Sequence, residues 1–226
     1  MKVTDKLTIT NEDCMELMGR YPDGHFDLCI SDPPYGIGAP NMAATKGQRK
    51  RGANRLNGCK LPSKENQSNY EWDNSIPTLE YFDCIRRKSQ NQIIWGGNYF
   101  PLPPARCVIV WDKCQPWENF SQVELAWTNF DAPASLFKFD NRTGDKIHPT
   151  QKPVALYKWL LDRYAKPIQA KLDRPMRILD THLGSGSIAI ACHDYGYDLT
   201  ACELDPDYYN AAIKRIQNHT AQTKLW

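Results

Sequence analysis

The chain reads as an α/β fold: a mainly parallel sheet covered by helices on both faces. Three observations predict it. Short apolar runs alternate with stretches of helical periodicity along the chain. Two of those runs end in turns rich in chemistry, Asp32-Pro33-Pro34-Tyr35 after residues 26–30 and Gly184-Ser185-Gly186 after residues 176–179. A length of 226 residues suits one large domain better than two thin cores.

In chain order, residues 7–10 form a strand, a short helix follows near 14–18, and residues 26–30 form an apolar strand. Such a run, bounded by turn residues, is a strand buried in a parallel sheet. Residues 37–69 lack sustained periodicity and are rich in Gly, Asn and basic side chains, as in a functional, mobile loop. A helix over 78–89 leads to a strand at 92–95, and further strands are expected at 107–111, 122–128 and 135–139. Trp95, Trp111 and Trp127 fall in these strands and read as core. After polar residues 140–147, His148-Pro149-Thr150-Gln151-Lys152-Pro153 opens a helix with Tyr157, Leu160, Leu161 and Tyr164 on one face. A strand at 176–179 ends in Asp180, and a helix at 187–195 carries Ile188, Ala191, Cys192 and Tyr195 on one face. A strand at 199–202 ends in Glu203, and a last helix groups Tyr209, Ala212, Ile213 and Ile216.

Composition adds limits. Net charge is only +2, yet seven basic residues (Lys46, Arg49, Lys50, Arg51, Arg55, Lys60, Lys64) lie between Ile37 and Lys64 with no acidic one among them. That local excess suits a polyanion; a merely solvated loop is the plainer account. The eight cysteines form no C-x-x-C pair and several sit in apolar patterns, which points to reduced, buried thiols rather than disulfides or zinc. The first residues hold no apolar leader and no segment has the length of a membrane span, so a soluble cytoplasmic chain is expected.

The chemistry lies at strand ends, where open α/β sheets bind ligands. Pro33 and Pro34 force a rigid exit from the 26–30 strand and leave the Pro33 carbonyl without a competing N–H. Asp32 and that carbonyl can accept hydrogens from an exocyclic amine, and Tyr35 can stack on a planar base; a simple Asp-Pro turn with Tyr35 capping the core is the alternative. Gly184 and Gly186 allow a ligand close to the backbone, and Glu203 at the next strand end can take ribose hydroxyls. The turn lacks both the three-glycine dinucleotide spacing and a Walker lysine. A nucleoside cofactor without phosphate, S-adenosyl-L-methionine, fits better. Thr150 can cap the following helix and leave N–H groups for a carboxylate, and Asp13 is either an acceptor for the cofactor's adenine or an ordinary helix cap. Asn98, Tyr99 and Asp112 are placed near the pocket, and His148 and His182 near the cofactor. His25, His193 and His219 are given surface roles.

Taken together, these residues resemble the circularly permuted beta class of amino-methylating DNA methyltransferases. The D-P-P-Y motif of Asp32, Pro33, Pro34 and Tyr35 precedes the cofactor motif of residues 180–187, and H-P-T-Q-K-P lies just before the latter. The resemblance implies a seven-stranded sheet in the order 3-2-1-4-5-7-6 with strand 7 antiparallel, in a single methyltransferase domain. It implies a cofactor site of Asp13, Cys14, Asp32, His148, Thr150, Lys152, Asp180, Leu183, Gly184, Ser185, Gly186, Ser187, Glu203 and Leu204. It also implies double-stranded DNA as substrate, met by Lys46, Arg49, Lys50, Arg51, Arg55 and Lys60 of the 37–69 loop. The expected reaction is methylation of adenine N6 after base flipping, with cytosine N4 as the alternative and an inactive DNA-binding subunit as a third reading. A homodimer, a cognate restriction endonuclease, no metal, and a bacterial or phage gene complete the expectation. Two departures stand out: the interval 128–148 is short for a target-recognition region, and the cofactor motif reads Asp180-Thr181-His182 where Asp-Pro-aromatic is common.

Overall fold

A computed structural model describes residues 3–37, 73, 75–116, 121–140, 147–148 and 150–222. At its centre is β2 (Phe26–Ser31), buried along its whole length between two parallel neighbours. On one side lie β7 (Arg177–Asp180), β8 (Asp198–Glu203) and β1 (Leu7–Asn11) in turn. On the other lie β3 (Ser89–Trp95), β5 (Val123–Thr128), β4 (Val108–Asp112) and β6 (Ser135–Lys138). Among the described residues only β5 runs against its neighbours; β6 returns parallel to β4.

The expected order holds strand for strand, from β1 as the third to β4 as the sixth, with β5 as the antiparallel seventh. The expected count of seven is corrected: eight strands are present among the described residues, because Ser135-Leu136-Phe137-Lys138 pairs with the free edge of β4. Its alternation, with Ser135 buried and Leu136 over half exposed, is that of an edge strand with one wet face.

Helices cover both faces. α1 (Cys14–Gly19) and α2 (Leu79–Lys88) bury Leu17, Met18, Phe82 and Ile85 against Phe26, Ile94, Leu179 and Cys202. On the opposite face are α3 (Val154–Leu160), a π-helical turn (Leu161–Ala165), α4 (Lys166–Gln169), α5 (Ser187–Tyr195) and α6 (Pro206–Thr220). They meet Ile93, Trp95, Ile178 and Ala201. Adjacent residues such as Ile93 and Ile94, or Ile178 and Leu179, thus serve opposite layers, as strand alternation requires. Trp95 and Trp111 are fully buried and Trp127 nearly so, as expected. The seven described cysteines are free thiols, five of them buried. No helix of the described residues is long and apolar enough to cross a membrane. The 38–72 segment, with every basic residue expected on DNA, lies outside the described residues.

Candidate active site

All parallel strands end at one edge of the sheet, so the turns after β1, β2, β7 and β8 share that edge. β2 and β7 are neighbours, and their ends are tied directly: Ser31 Oγ lies 2.5 Å from Thr181 Oγ1, and both contact the buried Tyr81 hydroxyl, at 2.9 and 2.7 Å. Asp32 and the glycine turn at Gly184, 152 residues apart in the chain (184 − 32), therefore diverge from one hydroxyl cluster.

Tyr35 folds back on Asp32, its hydroxyl donating to Asp32 Oδ1 at 2.5 Å. Its backbone N–H and that of Gly36 both donate to Asp73 Oδ1, at 2.6 and 2.9 Å. The ring stacks on Tyr99, centroids 5.0 Å apart and planes 15° from parallel. Its edge rests on Gly96, where an added Cβ would stand 2.2 Å from a ring carbon; with φ +72° that position needs glycine twice over. Tyr99, expected near the pocket, thus lies against Tyr35. Asn98 is exposed, and Asp112 binds its own turn, accepting from Cys114 N.

The second Asp32 oxygen is taken by Lys152, whose Nζ also lies 3.3 Å from the Tyr35 hydroxyl. Lys152, expected on the cofactor side, ends at the Asp32 carboxylate, its ammonium capped by the rings of Trp95 and Tyr35. Behind it stands Glu124 of β5, with Oε2 3.1 Å from Lys152 Nζ and Oε1 2.5 Å from Lys113 Nζ. Burial disfavours the charge on Asp32 and raises its pKa; Lys152 opposes that rise and Glu124 adds to it. For Lys152 burial is outweighed by the two carboxylates, and it stays an ammonium.

The cofactor side is built on Glu203. Its Oε2 accepts from Gly184 N at 2.8 Å and its Oε1 from Asp205 N at 3.0 Å, so the carboxylate is fixed while each oxygen keeps a lone pair for a hydroxyl. Above Gly184, at φ +53°, a Cβ would meet nothing within 4 Å, leaving open space over the turn. Leu204, beside Glu203, is apolar yet 68% exposed, as a surface for a flat ring would be. Asn11 at the end of β1 binds the Glu203 and Leu204 carbonyls and joins that strand end to the site. Asp180 is buried, accepts from His182 N, and has its pKa pushed up to about 8 by burial, with Asp32 and Glu203 adding to the rise. A nucleoside with a diol and no phosphate fits this donor set.

Other residues expected there make bonds within the protein. Thr150 does not cap α3: Pro153 holds that position, which a Pro-bounded helix start permits, and Thr150 instead bonds His148 Nδ1 through N and Oγ1. His148 is buried against Tyr208, and burial pulls its pKa down to about 4. Asp13 caps α1 through Met15 N, the plainer of its two readings, and the Cys14 thiol, at the helix start, is pushed up to about 12 by burial. Ser185 and Ser187 turn their hydroxyls to the Arg215 guanidinium, at 3.2 and 2.9 Å, because that cation sits beneath the turn. Leu183 is buried, its N–H bound to Cys202 O, and Gly186 N closes the turn on Leu183 O. Sequence reasoning missed Glu124, Lys113, Asp73, Tyr81 and Arg215. Glu124 alone had a signal, an acid inside the apolar strand Val-Glu-Leu-Ala-Trp. A cavity of about 510 Å³ lined by Gln92, Pro104, Trp127 and Asn129 lies toward the opposite end of β3 and includes none of these groups.

Residues 106–214 match the N6/N4 family described as DNA methylase. The chain is 24% identical over 152 residues to the type II methyltransferase M1.MboII of Moraxella bovis, covering 66% of this chain and 49% of that protein. The chain thus spans about half the length of the curated relative it matches. Among solved structures it is similar to the M1.HpyAVI–SAM complex (18% identity, TM-score 0.54, 92% of this chain and 99% of that one). It is also similar to the cytosine-N4-specific PvuII DNA methyltransferase (15% identity, TM-score 0.57, 97% and 94%).

Proposed function

We propose that this chain, which matches the N6/N4 DNA methylase family over residues 106–214, moves a methyl group from S-adenosylmethionine to the exocyclic N6 of adenine in double-stranded DNA. The observation that carries the reading is the single edge on which Asp32–Tyr35 and the Gly184–Glu203 pair converge through Ser31 and Thr181. Gly184, Glu203 and Leu204 are the residues that would hold the cofactor. Bound there, S-adenosylmethionine supplies a methyl group activated by its sulfonium charge.

The chain's residues prepare the acceptor. A base inside a duplex must be extruded, which costs a few kcal/mol, and the Tyr35–Tyr99 stack offers it an aromatic platform. An aromatic amine is a poor nucleophile because its lone pair is delocalised into the ring. Asp32 and the Pro33 carbonyl accept its two N–H groups and favour the tetrahedral nitrogen of the transition state. Asp32 then stands as an acceptor for the proton the methylated nitrogen sheds.

Cytosine N4 is the second reading, because PvuII methyltransferase shares the fold and both amines would make the same contacts. The basic 37–69 segment is assigned to DNA on charge alone. A homodimer and an endonuclease partner rest on the family resemblance.

The test is transfer of label from S-adenosylmethionine to duplex DNA, followed by mass analysis of the nucleosides. N6-methyladenine is expected. N4-methylcytosine would move the assignment to the second reading, and unlabelled DNA would overturn both. Asp32→Ala should lower transfer by about 100-fold or more while cofactor binding, read by calorimetry, is retained.

A further inference from the structure

We propose that Glu124 is a positioning residue of the active centre: through Lys152, and braced by Lys113, it sets the ionisation of Asp32. This deepens the methyl-transfer reading and rests on it for its purpose, but not for its measurement.

Four charged side chains from separate parts of the chain form one line. Lys113 follows β4, Glu124 lies in β5, Lys152 precedes α3 and Asp32 follows β2. Lys113 Nζ to Glu124 Oε1 is 2.5 Å and Glu124 Oε2 to Lys152 Nζ is 3.1 Å, and Lys152 closes on Asp32 Oδ2. The Lys152 side chain is only 2% exposed, and Asp32 and Glu124 about a fifth. The buried Oε2 of Glu124 faces the Lys152 ammonium as an ion pair at 3.1 Å, close enough for its charge to act on Lys152 directly.

Burying such a chain is costly, and apolar side chains of similar size would serve packing as well or better. Its location explains the retention. Two carboxylates that share one ammonium are balanced only while the second ammonium, Lys113, is in place. Asp32 needs its negative charge to accept hydrogens from an amine, yet it is largely shielded from solvent. Lys152 favours that charge and Glu124 disfavours it, so Glu124 limits how strongly Lys152 holds Asp32. An Asp32 locked too tightly to Lys152 would not release a lone pair to the substrate amine. Other groups facing Asp32 are Tyr35 from its own turn, Tyr157 from α3 and Asp180 from β7; His148 lies near Lys152.

The two neighbours give opposite signs, which a purely structural role would not. The Asp32 carboxyl is to be titrated by ¹³C NMR in protein without cofactor or DNA, assigned by its loss in Asp32→Asn. Glu124→Gln should lower its midpoint by about one pH unit or more and Lys152→Met should raise it by a similar amount. The charge-balanced Glu124→Gln/Lys152→Met double variant should titrate above Glu124→Gln and below Lys152→Met. If Lys152→Met does not fold, the order of wild type, Glu124→Gln and the double variant still decides. An unmoved midpoint in Glu124→Gln, or one that moves with Lys152→Met, overturns the proposal. The acid limb of methyl transfer should shift the same way as the carboxyl. Titrations in the expected order in a protein that methylates no DNA would overturn the functional reading and leave the charge relation standing.

Discussion

Gly96 and Asp180 show how single residues trade stability for geometry. At Gly96 an L side chain would be strained by the left-handed backbone and would drive into the Tyr35 ring. Gly96→Ala should cost about 1–3 kcal/mol in thermal unfolding and lower methyl transfer more than cofactor binding, because the displaced ring belongs to the acceptor side. Asp180 has the opposite balance. Its pKa, pushed up to about 8 by burial, exceeds that of an unfolded aspartate, so the folded state holds a proton the unfolded state releases. The sign follows: stability falls as pH rises from about 4 toward 8. Asp180→Asn keeps an acceptor for His182 N and removes the charge. It should therefore unfold at higher temperature than wild type, with a gain that grows across that window to about 1–3 kcal/mol. A gain that shrinks with rising pH would contradict the assignment. Asp32 and Tyr35 were legible in the sequence because prolines and a strand end fix their surroundings locally. Glu124 and Asp73 were not: their partners are far along the chain, and although an acid inside an apolar strand marks Glu124 as unusual, nothing nearby names the cation it pairs with.

Between elements, the face built from α3, α5 and α6 is fastened by Asp194. Lys158 of α3 pairs with its Oδ2 at 2.6 Å and His219 of α6 with its Oδ1 at 2.8 Å. His219, expected on the surface, is thus a fastening residue. Burial works against the Asp194 charge, but these partners outweigh it and hold the pKa down to about 2. A depressed carboxylate stabilises above its unfolded pKa near 4 and loses that contribution as pH falls toward 2. Asp194→Asn should lower stability by about 1 kcal/mol near neutrality, discounted because Lys158 and His219 are partly exposed, and the deficit should vanish in acid. Denaturant unfolding at several pH values measures it. The elements themselves were legible because periodicities of 2 and 3.6 carry burial directly. Less so was the start of α3, where Thr150 looked like a cap: a side chain's choice between backbone and a neighbouring histidine depends on tertiary placement.

At the scale of the whole molecule, parallel strands bring distant turns to one edge, and strand order decides which turns meet. Asp32 and Gly184 meet because β2 and β7 are adjacent. The segment with the basic run leaves and returns at that same place: Gly36 N and Asp73 Oδ1 are 2.9 Å apart, although 36 residues separate them (73 − 36 − 1). The flanking residues Gly36 and Asp73 are therefore held together at Tyr35. If the seven positive charges of that segment meet phosphates, they supply the main electrostatic pull on DNA, since the net charge of the whole chain is only +2. Binding that depends on such contacts releases counterions, and each phosphate met contributes about −0.9 to the log–log salt slope. If half of the four charges at Lys46, Arg49, Lys50 and Arg51 touch phosphate, changing all four to Gln should flatten the slope by about 2. Affinity at low salt should fall, and thermal stability should stay as in wild type, because the anchors at Gly36 and Asp73 are untouched. Fluorescence anisotropy of a labelled duplex at several salt concentrations reads both affinity and slope; an unchanged slope would remove this segment from the DNA interface and leave the catalytic edge to bind DNA without it.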